Sequence, residues 1–333
     1  MSEPRVLQWE RLTKRKFDTL DRRRCVVMVT CSPLEVHGPH LPLGADALEG
    51  EGLAERLLPL LPERHRERIF LKLPFVYAAT DTVPHAGSLQ FRPSTTIAVL
   101  EDLGRSLAAQ GFRDVLVSNF HGSPRHFLAI EQACDRVSRS CGIRMVCVFS
   151  VLLSRLTNGS AELYDVLGQL PGVRRDDLVG DTHAGVVETS QLLALHPELV
   201  EGDYAALPRR TVERWMEENG RTPPKMSNGR PASLREMLKA FGGAIHFFQQ
   251  ETYSGAPGAA SRELGERILD TLAGHAAIAV AEILDGTLPP AQWHSPVWRL
   301  RFLFLNPWMV RLFNRLLRVP TGVVGAVPAA QER

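Results

Sequence analysis

The first half of the chain alternates short apolar runs with longer segments whose apolar residues recur at helical spacing. The run Cys25–Thr30 is apolar and β-branched almost throughout, which is typical of a strand buried on both faces of a parallel sheet. Similar runs predict strands at residues 69–77, at Asp114–Ser118 and at residues 143–149. Strands that alternate with helices through short connections indicate a parallel sheet with helices on both faces.

Between and after these runs lie segments in which apolar residues recur every three or four positions, the spacing of one helix face. Gly111 and Gly142 stand directly after two of these segments, where glycine commonly ends a helix. Residues 157–181 predict a long loop, and the polar residues 211–230 predict an exposed segment. The predicted helices cover residues 47–61, 95–110, 125–140, 183–195 and 261–284.

The order of these elements predicts a single α/β domain of three layers, α/β/α, around a mostly parallel central sheet. The chain has 333 residues, of which 44% are hydrophobic and 23% charged, and this composition excludes a mainly disordered, collagenous or coiled-coil protein. We place the domain at residues 1–290. Residues 291–333 are then a basic, aromatic-rich and amphipathic C-terminal extension.

Net charge and cysteine usage narrow the partners and the compartment. The 39 Lys and Arg residues nearly balance the 37 Asp and Glu residues, so the net charge is +2 and no nucleic-acid partner is predicted. The five cysteines form no CxxC pair, and neither a signal-peptide core nor an apolar run of about 18 residues is visible. We therefore expect a cytoplasmic protein with reduced thiols.

Histidines and carboxylates follow the ends of the predicted strands. Ligands bind beyond the carboxyl ends of strands in open α/β sheets, so these side chains are expected at one end of the sheet. Imidazole and carboxylate ligands without thiolate suit Zn, Mn or Fe in a catalytic site. The residues concerned are Glu35, His37 and Asp46 after the first strand, His121 after the third, and His183 and Glu188 further along.

Each of these residues also has a simpler explanation when it is taken alone. Asp46 stands just before a predicted helix and is placed to cap it, and a single loop histidine is usually solvated. His40 is expected to support a ligand through a hydrogen bond. The joint pattern favours metal binding, because the position at a strand end is independent of residue type. Two metals about 3.5–4 Å apart would polarise a carbonyl and generate hydroxide near neutral pH.

The stretch EVHGPHLPLGAD, from Glu35 to Asp46, resembles the EQHGPHLPLGTD signature of the creatininase family of metal-dependent amidohydrolases. Residues 183–190, HAGVVETS, resemble that family's HAG-x-x-ETS segment. Weaker likenesses occur at residues 87–89, 118–122 and 255–258. The resemblance covers roughly residues 5–285, and it implies the fold and the amide chemistry of that family.

The resemblance implies two divalent metal ions, with zinc favoured and manganese or iron as alternatives. In creatininase proper, the last carboxylate ligand lies two residues after the strand-end histidine, which is Ser123 here, so Glu188 is the expected substitute. His183 would be a proton shuttle to the leaving nitrogen or an orienting donor, and Glu188 would share in catalysis. The implied ligands are Glu35, Asp46 and His121 for one ion and His37, Asp46 and Glu188 for the other.

The chain departs from creatininase proper where the substrate would bind. Val179 replaces a tryptophan and Gly122 replaces a tyrosine, so the aromatic enclosure for creatinine is missing. We expect Ser88, Gly122, Ser123 and Val179 to contact the substrate instead. The predicted activity is hydrolysis of a non-peptide C–N bond, in a cyclic amide, a formamide or another small-molecule amide, by metal-bound hydroxide. The alternatives are a peptidase that trims a short modified peptide, and an inactive family member that serves as a scaffold or membrane-associated partner.

Residues 293–319 lie beyond the resemblance and combine three of the five tryptophans with five arginines and no acidic residue. Pro307 is expected to divide the segment in two. One interpretation is packing against the chain's own body or a neighbouring subunit, which the family's tendency to form homo-oligomers, often hexamers, favours. The other is a peripheral membrane contact, since Trp, Phe and Leu opposite Arg is the composition of interfacial helices.

Overall fold

Five parallel strands form the central sheet of the protein. The structure is a computed structural model that describes residues 3–157, 167–171, 173–227, 230–231 and 233–316. Along the sheet the strand order is β1-β3-β2-β4-β5, and each neighbouring pair is parallel. This arrangement confirms the predicted α/β class. The strands are β1 (Arg5–Gln8), β2 (Cys25–Thr30), β3 (Ile69–Lys72), β4 (Asp114–Ser118) and β5 (Arg144–Cys147).

The helices extend over bounds close to those predicted. Ser261 caps the helix Arg262–Asp285 by accepting a hydrogen bond from the Leu264 amide, and Gly142 ends the helix Pro124–Cys141 with a φ of 65°. A short antiparallel pair, β6 (Met226–Ser227) and β7 (Arg230–Pro231), lies outside the main sheet. In chain order the described helices are α1 (Lys14–Asp18), α2 (Ala45–Leu57), α3 (Glu63–Arg66), α4 (Pro93–Ala109), α5 (Pro124–Cys141), α6 (Val148–Thr157), α7 (Arg175–Leu178), α8 (Val186–Leu195), α9 (Val212–Glu218), α10 (Leu234–Phe247), α11 (Arg262–Asp285), α12 (Arg301–Leu305) and α13 (Pro307–Leu316).

Alternate residues of β2 enter two separate hydrophobic cores, one on each face of the sheet. Val26 and Met28 pack in the core that contains side chains of α2 and α11. Val27 and Val29 pack in the core that contains side chains of α4 and α5. Because a strand presents successive side chains to opposite faces, an uninterrupted apolar run is needed where helices cover both faces. The protein therefore has the predicted three layers.

Several predicted bounds were wrong. The strand predicted at residues 69–77 ends at Lys72, two residues before Pro74, which has no amide hydrogen to donate to a ladder. The apolar run 143–149 is only partly a strand, because α6 begins at Val148. A short apolar run cannot by itself distinguish a strand from a buried helix. The edge strand β1 was missed because it is largely exposed and lacks a continuous apolar run.

The segment predicted to be exposed at residues 211–230 is partly buried. Trp215 and Met216 in α9 are both buried and pack against Phe247. Two apolar residues in a polar stretch were too few to predict this small core. Much of the loop predicted at residues 157–181 lies outside the described residues, and α7 occupies part of the rest.

The first part of the C-terminal segment packs against the body of the protein. Trp298 and Phe304 are half-buried against the core between the sheet and helices α4 and α5. The Ser295 amide donates a hydrogen bond of 3.1 Å to the buried carboxylate of Glu131 in α5. The ring of His294 stacks on Trp298 at 4.0 Å between centroids. Packing on the chain's own body, one of the two interpretations, therefore applies to Trp298 and Phe304, whereas Leu300 and Phe302 are exposed.

The second part of this segment begins a new helix. Pro307 is the first residue of α13, so the predicted division at this proline is confirmed. Residues 317–333 lie outside the described part of the chain. Within the described ranges, every helix is too short or too polar to cross a membrane.

Candidate metal centre

The loop after β2 folds back on itself and carries two of the predicted ligands. The Glu35 amide donates to the Leu43 carbonyl at 2.8 Å, and His37 forms an isolated bridge with Leu41. Gly38 makes this turn with a φ of 64°, and a Cβ there would lie 2.7 Å from the His40 ring. Glycine is required because other residues rarely adopt this conformation and have no room here. The turn directs both ligands towards the carboxyl end of the sheet.

Asp46 is a residue of the first turn of α2 and is not its cap. Gly44 occupies the N-cap position, and the buried Asp46 carboxylate lies 3.5 Å from His37 Nε2 and 3.3 Å from His121 Nδ1. The capping alternative considered for Asp46 is therefore wrong. Its carboxylate lies between two imidazoles from different strand ends.

His121 arrives from the end of β4 in a conformation that its neighbours hold. Its amide donates to the Asn119 side chain at 3.0 Å. On the ring, Nε2 lies 3.1 Å from the Thr80 carbonyl, and Nδ1 lies 3.1 Å from a carboxylate oxygen of Glu35. Because a carbonyl oxygen only accepts, Nε2 carries a hydrogen, and Nδ1 is the nitrogen that faces the carboxylates.

His37 is oriented in the same way, by a hydrogen bond from its ring to a backbone carbonyl. Its Nδ1 donates to the Glu35 carbonyl at 3.0 Å, so Nε2 is the nitrogen directed at Asp46 and at Glu188, the latter 3.9 Å away. A backbone carbonyl behind an imidazole is the usual partner of a metal-binding histidine, since it fixes the tautomer and the ring orientation. Both predicted histidine ligands have such a partner.

The third segment joins the site through the start of α8. The Asp181 carboxylate accepts hydrogen bonds from the amides of Val186 and Val187, at 2.7 and 3.1 Å, and so holds the first turn of this helix. Glu188 lies in that turn, and its carboxylate also accepts a hydrogen bond from the Ala184 amide. Burial raises the pKa of Asp181 to about 7, against the lowering effect of those two amides.

His183 lies beside the predicted ligands. Its ring centroid is 4.3 Å from that of His37, and its Nε2 donates to the Val36 carbonyl at 2.8 Å. Nδ1 is then the nitrogen left to accept a proton. The residues of three chain segments therefore meet at one buried point.

In the described part of the chain, three groups of side chains bring their potential ligand atoms within 4.8 Å of one another. Two of these groups share Asp46, and they are the two ligand sets that the family resemblance implies. The third places His183 with Glu35 and His37, so ligation by His183 is also geometrically open. The groups are Glu35 with Asp46 and His121, His37 with Asp46 and Glu188, and Glu35 with His37 and His183.

The electrostatics of the cluster favour cations. Burial alone would raise the pKa of Asp46, but His37 and His121 outweigh it and hold this pKa well below its ordinary value. Burial likewise opposes the charge on His37, but Asp46, Glu188 and Glu35 raise its pKa to about 10. In each case a buried carboxylate is stabilised by positive charge beside it.

Unpartnered atoms provide an independent test of whether a metal fits. Among the described residues, one carboxylate oxygen each of Glu35 and Asp46 and the Nε2 of His37 are buried without a hydrogen-bond partner. A buried polar atom without a partner destabilises a protein, so such atoms are normally satisfied. Oxygen and imidazole donors gathered in this way fit divalent Zn, Mn or Fe.

Ser123 occupies the position at which the resemblance to creatininase implies a carboxylate ligand. Here the side chain contacts another residue. Its hydroxyl donates to the Asp81 carboxylate at 3.0 Å, and Arg125 donates to the same carboxylate at 2.9 Å. Asp81 has a φ of 60°, which is uncommon for a residue other than glycine. Next to it, Thr80 offers the carbonyl that orients His121. Ser123 and Arg125 therefore hold the loop that supports a predicted ligand.

We expect Ser123→Ala to weaken metal binding about tenfold while the protein stays folded. Loss of a supporting partner of a metal ligand typically costs 10–100-fold in affinity, and the Arg125 contact with Asp81 remains. Competition with a chromogenic chelator measures the change. The exposed Ser94→Ala is the matched control and should bind as the unmodified protein does. Equal affinities of the two variants would contradict a supporting role for Ser123.

The predicted substrate contacts occupy different environments. The buried Ser88 hydroxyl accepts a hydrogen bond of 3.0 Å from the Val36 amide, so it supports the loop that carries Glu35 and His37. Gly122 is exposed beside His121, and a Cβ there would meet nothing within 4 Å. Val179 follows α7 with 59% of its surface exposed, and it is outside the three ligand groups. The contacts of Ser88, Gly122, Ser123 and Val179 with a substrate stay predictions.

Sequence reasoning missed Glu49, which lies one turn after Asp46 in α2. Its side chain is fully buried, and neither carboxyl oxygen has a hydrogen-bond partner among the residues that the structure describes. Burial, followed by repulsion from Glu188 and Asp46, raises its pKa well above the ordinary value, which favours a neutral acid. The three-residue spacing from Asp46 on one helix face was the signal that could have found it.

The parallel sheet and the buried histidine–carboxylate cluster at its strand ends define an α/β protein with a candidate metal centre. The profile of the creatininase family, described as creatinine amidohydrolase, matches residues 10–280. The chain belongs to the creatininase family, which confirms the resemblance found in its motifs. Comparison with curated proteins gives no match.

Solved structures of creatininases share the fold. A mutant creatininase complexed with creatine has 20% identity and a TM-score of 0.56, and covers 86% of this chain and 100% of its own. A creatininase in the Mn form has 21% identity and a TM-score of 0.53, with the same coverage. A mutant creatininase of Zn–Zn type has 20% identity and a TM-score of 0.52, and covers 85% of this chain and 98% of its own. At these identities the likeness establishes the fold.

Proposed function

We propose that this protein is a metal-dependent amidohydrolase that cleaves the C–N bond of a cyclic amide, a formamide or another small amide. Membership of the creatininase family supports amide hydrolysis at the level of the family. The observation that carries the proposal is the pair of three-residue ligand groups that share the buried Asp46. A carboxylate common to two such groups suits a pair of neighbouring divalent ions.

The residues of the chain have distinct roles in this reaction. Glu35, Asp46 and His121 would hold one ion, and His37, Asp46 and Glu188 the other. When bound, divalent cations supply Lewis acidity that polarises the substrate carbonyl and lowers the pKa of water. The carbonyls of Glu35 and Thr80 keep the two imidazoles in the tautomer that ligation requires.

His183 is suited to move a proton within this site. Its Nε2 stays bonded to the Val36 carbonyl, so Nδ1 takes a proton from the attacking water and returns it to the leaving nitrogen. Glu188, whose carboxylate lies 3.9 Å from His37 Nε2, shares in catalysis as the ligand that replaces the missing carboxylate at Ser123. Water attack on the carbonyl carbon forms the new C–O bond, and the C–N bond breaks as the amine leaves with the proton.

The proposal is tested by metal analysis and by a substrate panel. The purified chain should carry about two divalent ions, with zinc expected to support activity best. It should also hydrolyse at least one member of a panel of formamides, lactams and small amides. Turnover of short peptides alone would instead favour a peptidase. A folded protein that binds no divalent ion would overturn the proposal and favour an inactive scaffold.

The family resemblance also supports a homo-oligomer in the cytoplasm, with six subunits as the expected number. The described cysteines are free thiols, in keeping with a reducing compartment. Light scattering after gel filtration gives the subunit number directly, since each chain has a mass of 37.0 kDa. A monomer at every concentration would contradict the oligomer.

A further inference from the structure

The C-terminal helices leave large apolar side chains in contact with solvent. Trp308 is 62% exposed, Phe302 is 58% exposed and Leu300 is 45% exposed. Exposed apolar patches mark interaction sites, and indole and phenyl groups contribute strongly to them because each buries a large apolar area when it is covered. These residues belong to α12, α13 and the turn before them, which together we call the terminal surface, residues 300–316.

Basic residues accompany these apolar side chains. Arg311 and Arg315 line one surface groove of α13 together with Trp308 and Leu312. From residue 293 to residue 319 the sequence has five arginines and no acidic residue. Since the whole chain has a net charge of +2, the remainder carries 2 − 5 = −3. Three of these arginines, Arg301, Arg311 and Arg315, lie within residues 300–316, which contain no acidic residue, so the terminal surface is a local positive region on a mildly acidic protein.

The terminal surface is also fixed to the body of the protein. His294 Nδ1 lies 3.3 Å from the buried Glu131 carboxylate of α5, and Arg301 lies over the Trp298 ring at 4.1 Å. The indole of Trp293 donates to the Leu288 carbonyl at 3.0 Å. These contacts fix the chain to the body of the protein at the start of α12. The exposed side chains that follow therefore begin from a fixed point.

We propose that the terminal surface docks on an anionic membrane. Trp308 and Phe302 would enter the boundary between headgroups and acyl chains, where aromatic side chains are favoured. Arg311 and Arg315 would pair with lipid phosphates at the same level. Because no described helix can cross a membrane, the surface lies on the bilayer. This proposal does not depend on the reaction at the metal centre.

Two other occupants fit the surface less well. In a symmetric contact with a second copy, the same patch faces itself, so Arg311 and Arg315 would approach the partner's positive surface. Nucleic acid would accept the arginines and stack on Trp308. It would leave the aliphatic Leu300 and Leu312 without an apolar partner, whereas a bilayer covers them.

Flotation of the full-length protein with liposomes tests the proposal. We expect binding to vesicles of phosphatidylcholine with phosphatidylglycerol, and much weaker binding to phosphatidylcholine alone. The double variant Arg311→Gln/Arg315→Gln should bind anionic vesicles about 30-fold less tightly, the factor that about 1 kcal/mol per basic residue corresponds to. Trp308→Ala should weaken binding to both kinds of vesicle.

The control variant Arg214→Gln/Arg262→Gln removes the same charge from exposed positions elsewhere and should bind normally. Unchanged melting temperature and metal content in all variants exclude misfolding. Absence of vesicle binding, or equal losses in the two double variants, would overturn the proposal. So would a concentration-dependent dimer, or binding to single-stranded RNA, that Trp308→Ala abolishes while vesicle binding persists unchanged.

Discussion

Replacing Asp46 by asparagine is expected to release most of the metal ions from the protein. Asp46 belongs to both ligand groups, and its carboxylate lies 3.5 Å from His37 Nε2 and 3.3 Å from His121 Nδ1. Asparagine keeps the size of the side chain but removes its negative charge and one of its two acceptor oxygens. A change in a supporting partner alone costs 10–100-fold in affinity, so loss of the shared ligand should cost more than about 100-fold.

Metal content after dialysis, measured by mass spectrometry, shows this loss, and chelator competition gives its size. Asp114→Asn is the matched control. Asp114 is also a buried aspartate, but it lies at the opposite end of β4 and pairs with Arg68 and Arg144. This variant should melt at a lower temperature and still hold its metal. Full metal retention in Asp46→Asn would contradict the assigned ligands.

The sequence predicted the bounds of β2 and β4 to the residue, because a strand buried on both faces restricts the residue types that it can contain. Cys25–Thr30 and Asp114–Ser118 lie in the middle of the sheet, and their side chains are buried on both faces. Only a continuous apolar run bounded by polar loops satisfies that position. The edge strand Arg5–Gln8 has one covered side at most, so its sequence carries no such constraint.

The gathering of the predicted ligands at one edge of the sheet was predictable for a related reason. Parallel strands end at one edge, so a histidine or carboxylate that follows a strand is brought to the same place whatever the details of the loops. The groups that support the ligands were not predictable in this way. Thr80 contributes its carbonyl to His121, and Val83 contributes its amide to Glu35. Every residue except proline has both backbone groups, so residue type gives no signal.

The packing of the C-terminal segment was also not predictable from its sequence. Its composition allowed packing on the body or docking elsewhere; the part before Pro307 contacts the body, and a new helix begins at this proline. What fixes the first part is a contact between distant residues, the Ser295 amide with Glu131, 164 positions earlier. Helical periodicity describes one face of one helix and contains no information about such a partner.

Replacing His183 by glutamine is expected to lower kcat by about 10²–10⁴-fold while the protein keeps both metal ions. General acid–base catalysis by a positioned side chain contributes about this factor. Glutamine can still donate a hydrogen bond to the Val36 carbonyl, but it cannot take up a proton at neutral pH. The variant should therefore lose the limb of the pH–rate profile that reports the proton acceptor, with a KM close to that of the unmodified enzyme.

Metal content measured on the same preparation separates proton transfer from ligation. His183 shares a ligand group with Glu35 and His37, so a ligand role predicts that His183→Gln loses metal together with activity. His65→Gln is the matched control, because this imidazole is also buried but bonds to Asp285 near the amino end of β3. Its kcat should be unchanged. Retained metal with lost turnover would identify His183 as the group that carries the proton, since the cations alone would then be insufficient for catalysis.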